Sequence, residues 1–172
     1  MYCCRRGLVD GAKALIKLPG IDVDYSAAKT SHRTALIAAC DRVEKSSLAN
    51  VVGGDIENAL QIIDVLVNDA RADVDFETET GKTALIVAAM NNNDDIIRKL
   101  VDVGANVNRE NKFGISAFSA SIEASADAAG ALLVELGADA HAGDKISHDT
   151  PLIRACLLYT SDAADEAESV DL

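Results

Sequence analysis

Aromatic residues and proline are scarce in this sequence. Tryptophan is absent, aromatic side chains supply only 3% of the 172 residues, and there are two prolines. Because 49% of the residues are nevertheless apolar, much of that share is Ala, Leu, Ile and Val, which suit closely packed helices. Long apolar runs are missing as well: no stretch reaches the roughly 18 residues that a membrane-spanning helix needs. The opening MYCCRRGLVDGAKALIKL lacks the apolar core and cleavage site of a secretory signal.

Positive charge is also in short supply. Sixteen Lys and Arg stand against 28 Asp and Glu, which gives a formal net charge of -12. Such a chain repels a phosphate backbone, so we do not expect nucleic acid as a partner. The four cysteines have no metal-type spacing. They indicate free thiols in the cytoplasm or another reducing compartment, with no metal and no cofactor.

Motifs for catalysis are missing too. The two glycines of VVGGD, residues 51–55, come without a phosphate-binding lysine or dinucleotide spacing, and we interpret the segment as a flexible loop. His32 and His148 are expected in solvent-facing loops, and no histidine forms a recognisable arrangement with a nucleophilic Ser or Cys. The sequence therefore predicts no enzymatic activity.

What the chain does contain is an internal repeat. Residues 81–108 align without a gap on residues 114–141, a period of 33, which places Thr83 opposite Ser116. A third copy starts at Thr34, which precedes Thr83 by 49 positions and so implies 16 extra residues in that unit. Repeats of this length are one supersecondary unit each, and they bury their apolar faces by stacking.

Each unit has the pattern of two short antiparallel helices. Thr83 is placed to cap the first helix, and the polar residues 91–93 make the turn to the second. Gly104 is placed to end the second helix in the left-handed conformation. Apolar residues at helical spacing form one stripe on each helix, namely Leu85, Ala88 and Ala89 on the first and Ile96, Ile97, Leu100 and Val101 on the second. Cys3 and Cys4 match Ala88 and Ala89, which predicts buried thiols.

The segments GKTALIVAA, IIRKLVDVGANVN, LLVELGADA and TPLIRA resemble the ankyrin-repeat family over residues 1 to about 155. The resemblance implies an all-α solenoid of stacked helix-turn-helix units with projecting hairpin loops. The predicted units are a half unit at 1–24, an inserted unit at 25–75, full units at 76–108 and 109–141, and a front half unit at 142–155.

This chain departs from the family pattern at several positions. The histidine that follows the family's TPL motif is replaced by Ile37, Ile86, Ser119 and Ile153. Gly130 lies within the predicted second helix of its unit, at a cost of about 1 kcal/mol relative to Ala. The insertion, residues 41–59, is expected between the two helices of its unit, where it either lengthens both helices or forms a loop.

Residues 156–172, CLLYTSDAADEAESVDL, do not continue the repeat. An acidic tail and a degenerate capping helix are two interpretations. The one we favour is a non-native tail, because the segment resembles translated adapter DNA from short-read sequencing libraries, with variation only where the index belongs. We also expect Met1 to be an internal methionine of a longer gene, so that the chain is a fragment.

The resemblance places partner-binding residues on the hairpin tips and on the exposed side of the first helices. By position these are Glu79, Thr80, Lys112 and Phe113 at the tips, and Val87, Met90 and Asn91 on the helix. An exposed aromatic suits an anchor, although Phe113 packing locally against Ile115 is equally consistent with the sequence. Methionine suits adaptable contacts, or it lines the groove between repeats.

The resemblance implies a non-catalytic protein–protein interaction module, an ankyrin scaffold or adaptor that binds another protein through a rigid curved surface. The alternative is the targeting array of a larger enzyme, such as a kinase or ubiquitin ligase, whose catalytic domain lies outside this chain.

Overall fold

The computed structural model describes residues 3–4, 7–25, 33–41 and 54–140, apart from the side chains of residues 54 and 55. Several predicted features lie outside these residues: Met1, His32, most of the insertion, His148, the front half unit 142–155 and the terminal segment 156–172.

The described part of the chain contains seven α-helices and no β-strand. A π-helical turn, Val65–Asp69, continues the third helix. The helices are α1 (Val9–Ile16), α2 (Ala35–Cys40), α3 (Gly54–Asp64), α4 (Ala84–Met90), α5 (Asp94–Asp102), α6 (Ala117–Glu123) and α7 (Asp127–Glu135).

These helices stack in two rows. The first helices α2, α4 and α6 pack against one another in sequence, and the second helices α1, α3, α5 and α7 form the other row. Within each unit α2 packs on α3, α4 on α5 and α6 on α7. The predicted all-α solenoid of stacked helix pairs is therefore confirmed.

The first helices begin with the same hydroxyl cap. The Thr83 side chain accepts a hydrogen bond from the backbone N–H of Ile86 at 3.2 Å, as predicted. Thr34 and Ser116 cap α2 and α6 in the same way. At α6 the cap is reciprocal, because Ser119 accepts from the Ser116 N–H at 3.0 Å.

The core lies between the two rows. Ala88 and Ala89 of α4 are fully buried, and so are Ile96, Ile97 and Leu100 of α5, which confirms the predicted stripes. Cys4 and Cys40 are buried among these side chains. Burial raises the pKa of both thiols, so each stays protonated and behaves as a small apolar side chain.

The second helices end in left-handed residues. Gly104 has φ of 101° and Gly137 has φ of 93°, as the sequence predicts for Gly104, and Arg71 takes the same place with φ of 56°. Gly130, inside α7, allows close packing, because a Cβ there would lie 3.1 Å from the Ser121 hydroxyl oxygen. Gly130 has a lower helix propensity than Ala, but it allows α7 to pack close to α6.

The inserted unit differs from the prediction in one respect. At the end of α5 the Ala105 N–H donates to the Leu100 carbonyl, five residues back, whereas the Ala72 N–H donates to Leu66, six residues back. One of the extra residues therefore lies in the π-helical turn Val65–Asp69, and not between the two helices where the sequence placed the whole insertion. Such a turn absorbs one residue without ending the helix.

Candidate partner-binding surface

The hairpin that leads into α4 ends in a tight β-turn. The Gly81 N–H donates to the Thr78 carbonyl at 2.9 Å, and the Thr78 hydroxyl accepts from the Lys82 N–H at 3.0 Å. Glu79 and Thr80 occupy the two central positions and are both exposed. The structure thus places these two predicted residues at the tip of the hairpin.

The hairpin that leads into α6 has the same design. Its turn closes with a 2.9 Å hydrogen bond from the Gly114 N–H to the Asn111 carbonyl. The Asn111 side-chain oxygen accepts from the N–H groups of Phe113 and Ile115, each at 2.9 Å. Lys112 and Phe113 take the central, exposed positions.

The two tips are joined to each other. The Asn111 side-chain amide donates to the Gly81 carbonyl at 2.6 Å, and Asn111 is buried. The Lys112 N–H donates to the Glu77 carboxylate at 2.9 Å, while the Lys112 ammonium donates to the Glu79 carbonyl. Three hydrogen bonds therefore hold the neighbouring hairpins as one rigid unit, here called the tip pair (residues 77–81 and 111–114).

Phe113 contributes the apolar part of the tip pair. One edge of its ring lies against Gly81, since a Cβ on that glycine would come 2.6 Å from the ring. The Lys112 ammonium lies 5.3 Å from the ring centroid, within the range of a cation–π interaction. The side chain is still 39% exposed. Phe113 thus contacts Gly81 of the preceding hairpin, a contact that was not considered from the sequence.

The first-helix candidates do not share one environment. Met90 is 41% exposed at the end of α4. Asn91 follows it and is half-buried, with a side-chain nitrogen that has no hydrogen-bond partner among the described residues. Val87 is only 4% exposed, so the predicted exposure of this residue is wrong. The reason is that α4 packs between α2 and α6, which covers both flanks of a helix of seven residues.

A ladder of side-chain acceptors joins the loops of successive units, and it was not among the features predicted from the sequence. In the loops that follow α1, α3 and α5, an Asp or Asn side chain accepts a backbone N–H of the next unit. The pairs are Asp24 with Asp73 at 3.1 Å, Asp75 with Asn106 at 3.1 Å, and Asn108 with Asp139 at 2.7 Å. The recurring DVD, DVD and NVN triplets are the signal that could have revealed it.

The negative charge of Asp24, one of the ladder acceptors, is disfavoured in the folded protein. Partial burial raises the pKa of the Asp24 carboxyl, and the charges of Asp73 and Asp22 raise this pKa further. The hydrogen bond from the Asp73 N–H lowers it in part.

No group of His, Cys, Asp and Glu side chains suited to a metal ion occurs in the described part of the chain. Nor does any described helix have the length and apolar character that crossing a membrane requires.

Stacked helix pairs with hairpins joined at their tips define a helical-repeat protein. Comparison with known families gives a match to ankyrin repeats, in three copies, over residues 48–144. Because this match covers more than half of the chain, the protein belongs to the ankyrin-repeat family. Comparison with curated proteins gives no match. Ankyrin repeats are in general protein–protein interaction modules, and domains of this kind are typically non-catalytic.

Proposed function

We propose that this chain is a non-catalytic scaffold or adaptor that captures a partner protein on the tip pair and the adjoining end of α4. The observation that carries the proposal is the exposed Phe113 ring held between two hydrogen-bonded hairpins. A surface that is ordered before binding loses little conformational entropy on association. Aromatic side chains that fill a pocket on the partner are frequent anchors of protein interfaces.

The other residues fit a supporting role around this anchor. Glu79 and Thr80 are exposed on the neighbouring tip, and the Lys112 ammonium lies 5.3 Å from the centroid of the Phe113 ring. Met90 supplies an unbranched apolar side chain that adapts to varied contacts, with Asn91 next to it. Val87 is left out of the proposed surface because it is buried. Without residues 156–172, which hold five acids and no base, the formal net charge changes from -12 to -7, and it still favours a partner of opposite charge.

The test is partner capture by the immobilised chain, with bound proteins quantified by mass spectrometry. Phe113→Ala should reduce the capture of a specific partner at least about tenfold, the effect of losing an interface anchor. Its Tm should fall by only about 2–4 °C, since the ring is already partly exposed. The matched control is Val134→Ala, which shortens a side chain of similar exposure, 47% against 39% for Phe113, on the second helix α7.

Two results would argue against this proposal. One is that Phe113→Ala and Val134→Ala reduce the capture of the partner equally, or that neither variant reduces it. The other is a large fall in the Tm of Phe113→Ala, which would assign Phe113 to packing between hairpins.

The alternative stays a prediction: the chain is the targeting array of a larger enzyme, such as a kinase or ubiquitin ligase. Extending the reading frame in both directions tests it. A catalytic domain in that frame would contradict the pure scaffold. A reducing compartment such as the cytoplasm is part of the proposal, because Cys3, Cys4 and Cys40 are free thiols.

A further inference from the structure

The side chain of Lys112 bridges the two tips across the Phe113 ring. Its ammonium donates a hydrogen bond to the Glu79 carbonyl on the preceding tip. The same ammonium lies over the ring, 5.3 Å from the centroid, which is within the range of a cation–π interaction. These two acceptors, the face of the Phe113 ring and the Glu79 carbonyl oxygen, bind one ammonium group together and are here called the cation site.

Neither the lysine nor the ring belongs to the repeat pattern. At the period of 33 residues, Lys112 and Phe113 occupy the positions of Glu79 and Thr80 in the preceding unit. That tip therefore has neither a cation nor an aromatic ring at these positions, and its turn still closes with the same backbone hydrogen bond. The turn itself does not require the Lys112 ammonium.

The tip pair also stays joined when the ammonium leaves. Two of its three hydrogen bonds between hairpins do not involve that group. The Asn111 side-chain amide donates to the Gly81 carbonyl at 2.6 Å. The backbone N–H of Lys112 donates to the Glu77 carboxylate at 2.9 Å. The ring and the carbonyl oxygen thus remain in place as an ordered site, which loses little entropy when another group binds.

The charge of the tip pair favours a cation at this site. Residues 77–81 and 111–114 contain two acids, Glu77 and Glu79, and one base, Lys112. An aromatic face and a carbonyl oxygen are acceptors, and both attract an ammonium group. The chain as a whole is acidic as well. The group that fits the cation site is therefore the ammonium of a lysine side chain, which Lys112 itself supplies in the free protein.

We propose that a lysine of the partner protein takes over the cation site when the partner binds, and that Lys112 fills this site in the free chain as an internal competitor. This inference rests on the proposed function, because it names the side chain that the partner brings to the tip pair. The ammonium of the partner replaces that of Lys112 on the ring and the carbonyl, and Lys112 turns toward solvent. The exchange is easy because Lys112 is exposed and a cation–π contact at an exposed site is weak.

Occupation by Lys112 should lower the affinity for the partner. A site that is only partly available reduces the apparent affinity in proportion to the fraction of time that it is empty. Removing the Lys112 ammonium should therefore tighten the binding of a lysine-bearing ligand about two- to fivefold, which corresponds to an exposed cation–π contact. A lysine that only stabilised the tip pair would have the opposite effect, because its loss would loosen the surface.

NMR titration with a defined probe tests the cation site directly. The probe is a blocked pentapeptide of sequence Gly-Ser-Lys-Ser-Gly, and its counterpart carries Nε-acetyllysine, whose side chain has no charge. The lysine peptide should shift the Phe113 ring resonances of the full chain, with a Kd about two- to fivefold lower in Lys112→Met than in the wild type. The acetylated peptide should shift these resonances in neither protein.

Two further variants are the matched controls. Lys112→Arg keeps a cation at the ring and should bind the lysine peptide as the wild type does. Lys82→Met removes one positive charge from the residue that follows the first tip, but it keeps Lys112 over the ring. It therefore measures the effect of net charge alone, and it should change the Kd less than Lys112→Met does. Circular dichroism checks that each variant is folded.

The partner protein gives a second readout. A specific partner, identified by its loss on Phe113→Ala, should bind Lys112→Met about two- to fivefold more tightly than the wild type. Three results would overturn the inference: no shift of the Phe113 ring with the lysine peptide, weaker binding of this peptide to Lys112→Met than to the wild type, or equal tightening in Lys82→Met and Lys112→Met.

The same experiments separate failure of this inference from failure of the proposed function. Loss of capture in Phe113→Ala without any response to the lysine peptide would keep the tip pair as the docking surface and overturn the cation site. A response to the peptide with unchanged capture in Phe113→Ala would overturn the proposed function, and with it the role of the partner's lysine.

Discussion

Equivalent loop positions in this array carry Asp in some units and Asn in others. Asp24, Asp75 and Asn108 each accept a backbone N–H from the following unit. Asn108 makes this bond without a charge. Asp24 makes it with a carboxylate whose pKa is raised by partial burial and by the neighbouring charges of Asp73 and Asp22. At this position the hydrogen bond stabilises the stack, while the negative charge opposes it.

Replacing Asp24 by Asn should therefore stabilise the protein near neutral pH. The folded state disfavours the charged carboxylate, so the protein with Asp24 loses stability as the pH rises through the raised pKa of the folded state. The Asp24→Asn variant carries no charge at this position, so it does not lose this stability. We expect the Tm to rise by about 1–2 °C at pH 7, a small effect because the side chain is still in contact with solvent.

Thermal melts at two pH values measure this effect. At about pH 3, below the usual pKa of an aspartate, the difference between the two proteins should vanish. A lower Tm for Asp24→Asn at pH 7 would show that the carboxylate is the better acceptor and that its charge does no harm.

At the scale of elements, neighbouring units complete each other's helix ends. The N-cap residue of α7, Ala126, makes no side-chain cap. Asn92, from the turn between α4 and α5, supplies one instead, because its side-chain oxygen accepts the Ala129 N–H at 2.8 Å. Its left-handed backbone, with φ of 52°, projects the side chain from the turn. Part of the stability of α7 therefore resides in the preceding unit.

Asn92→Gly should remove this cap and keep the left-handed turn. We expect the free energy of unfolding to fall by about 1 kcal/mol, the typical value of a helix cap. The matched control is Ser125→Gly at the equivalent turn, where φ is 53°. That substitution only relieves the left-handed backbone and should leave stability unchanged or slightly higher.

Urea denaturation of both variants gives the comparison, with equal slopes required for a valid difference. Equal shifts in the two proteins would mean that the Asn92 bond contributes nothing to the stability of α7.

At the scale of the whole molecule, a repeat array gains stability from each unit and from its contact with the next. A segment that packs on no unit can be removed without cost to the others. Residues 156–172 are predicted to be such a segment, because their sequence does not continue the repeat and resembles translated adapter DNA.

Deleting residues 156–172 should leave both the helical circular dichroism of the preceding repeats and the Tm unchanged within about 1 °C. Unfolding of the repeats on deletion would identify the segment as a genuine capping element. The nucleotide sequence that encodes it is an independent check, since codons that differ from those of the adapter would reject the adapter origin.

The sequence alone determined the repeat and the local structure within it. Thr83 as a cap, Gly104 as a helix end and the apolar stripes of α4 and α5 were all predictable, because each depends on residues within one or two turns of the same helix. The positions of Glu79, Thr80, Lys112 and Phe113 at hairpin tips were predicted from the resemblance to the ankyrin-repeat family, carried over by position.

Only the tertiary structure decided how the units contact one another. Three features each depend on groups in different units: the burial of Val87, the hydrogen bonds that join the two tips, and the cap that Asn92 provides for α7. The π-helical turn likewise absorbs a residue that the linear alignment assigned to the insertion. A periodic pattern shows which residues occupy equivalent positions in the repeat. Adjacent units decide which of these residues are buried, because burial depends on the packing of the whole stack.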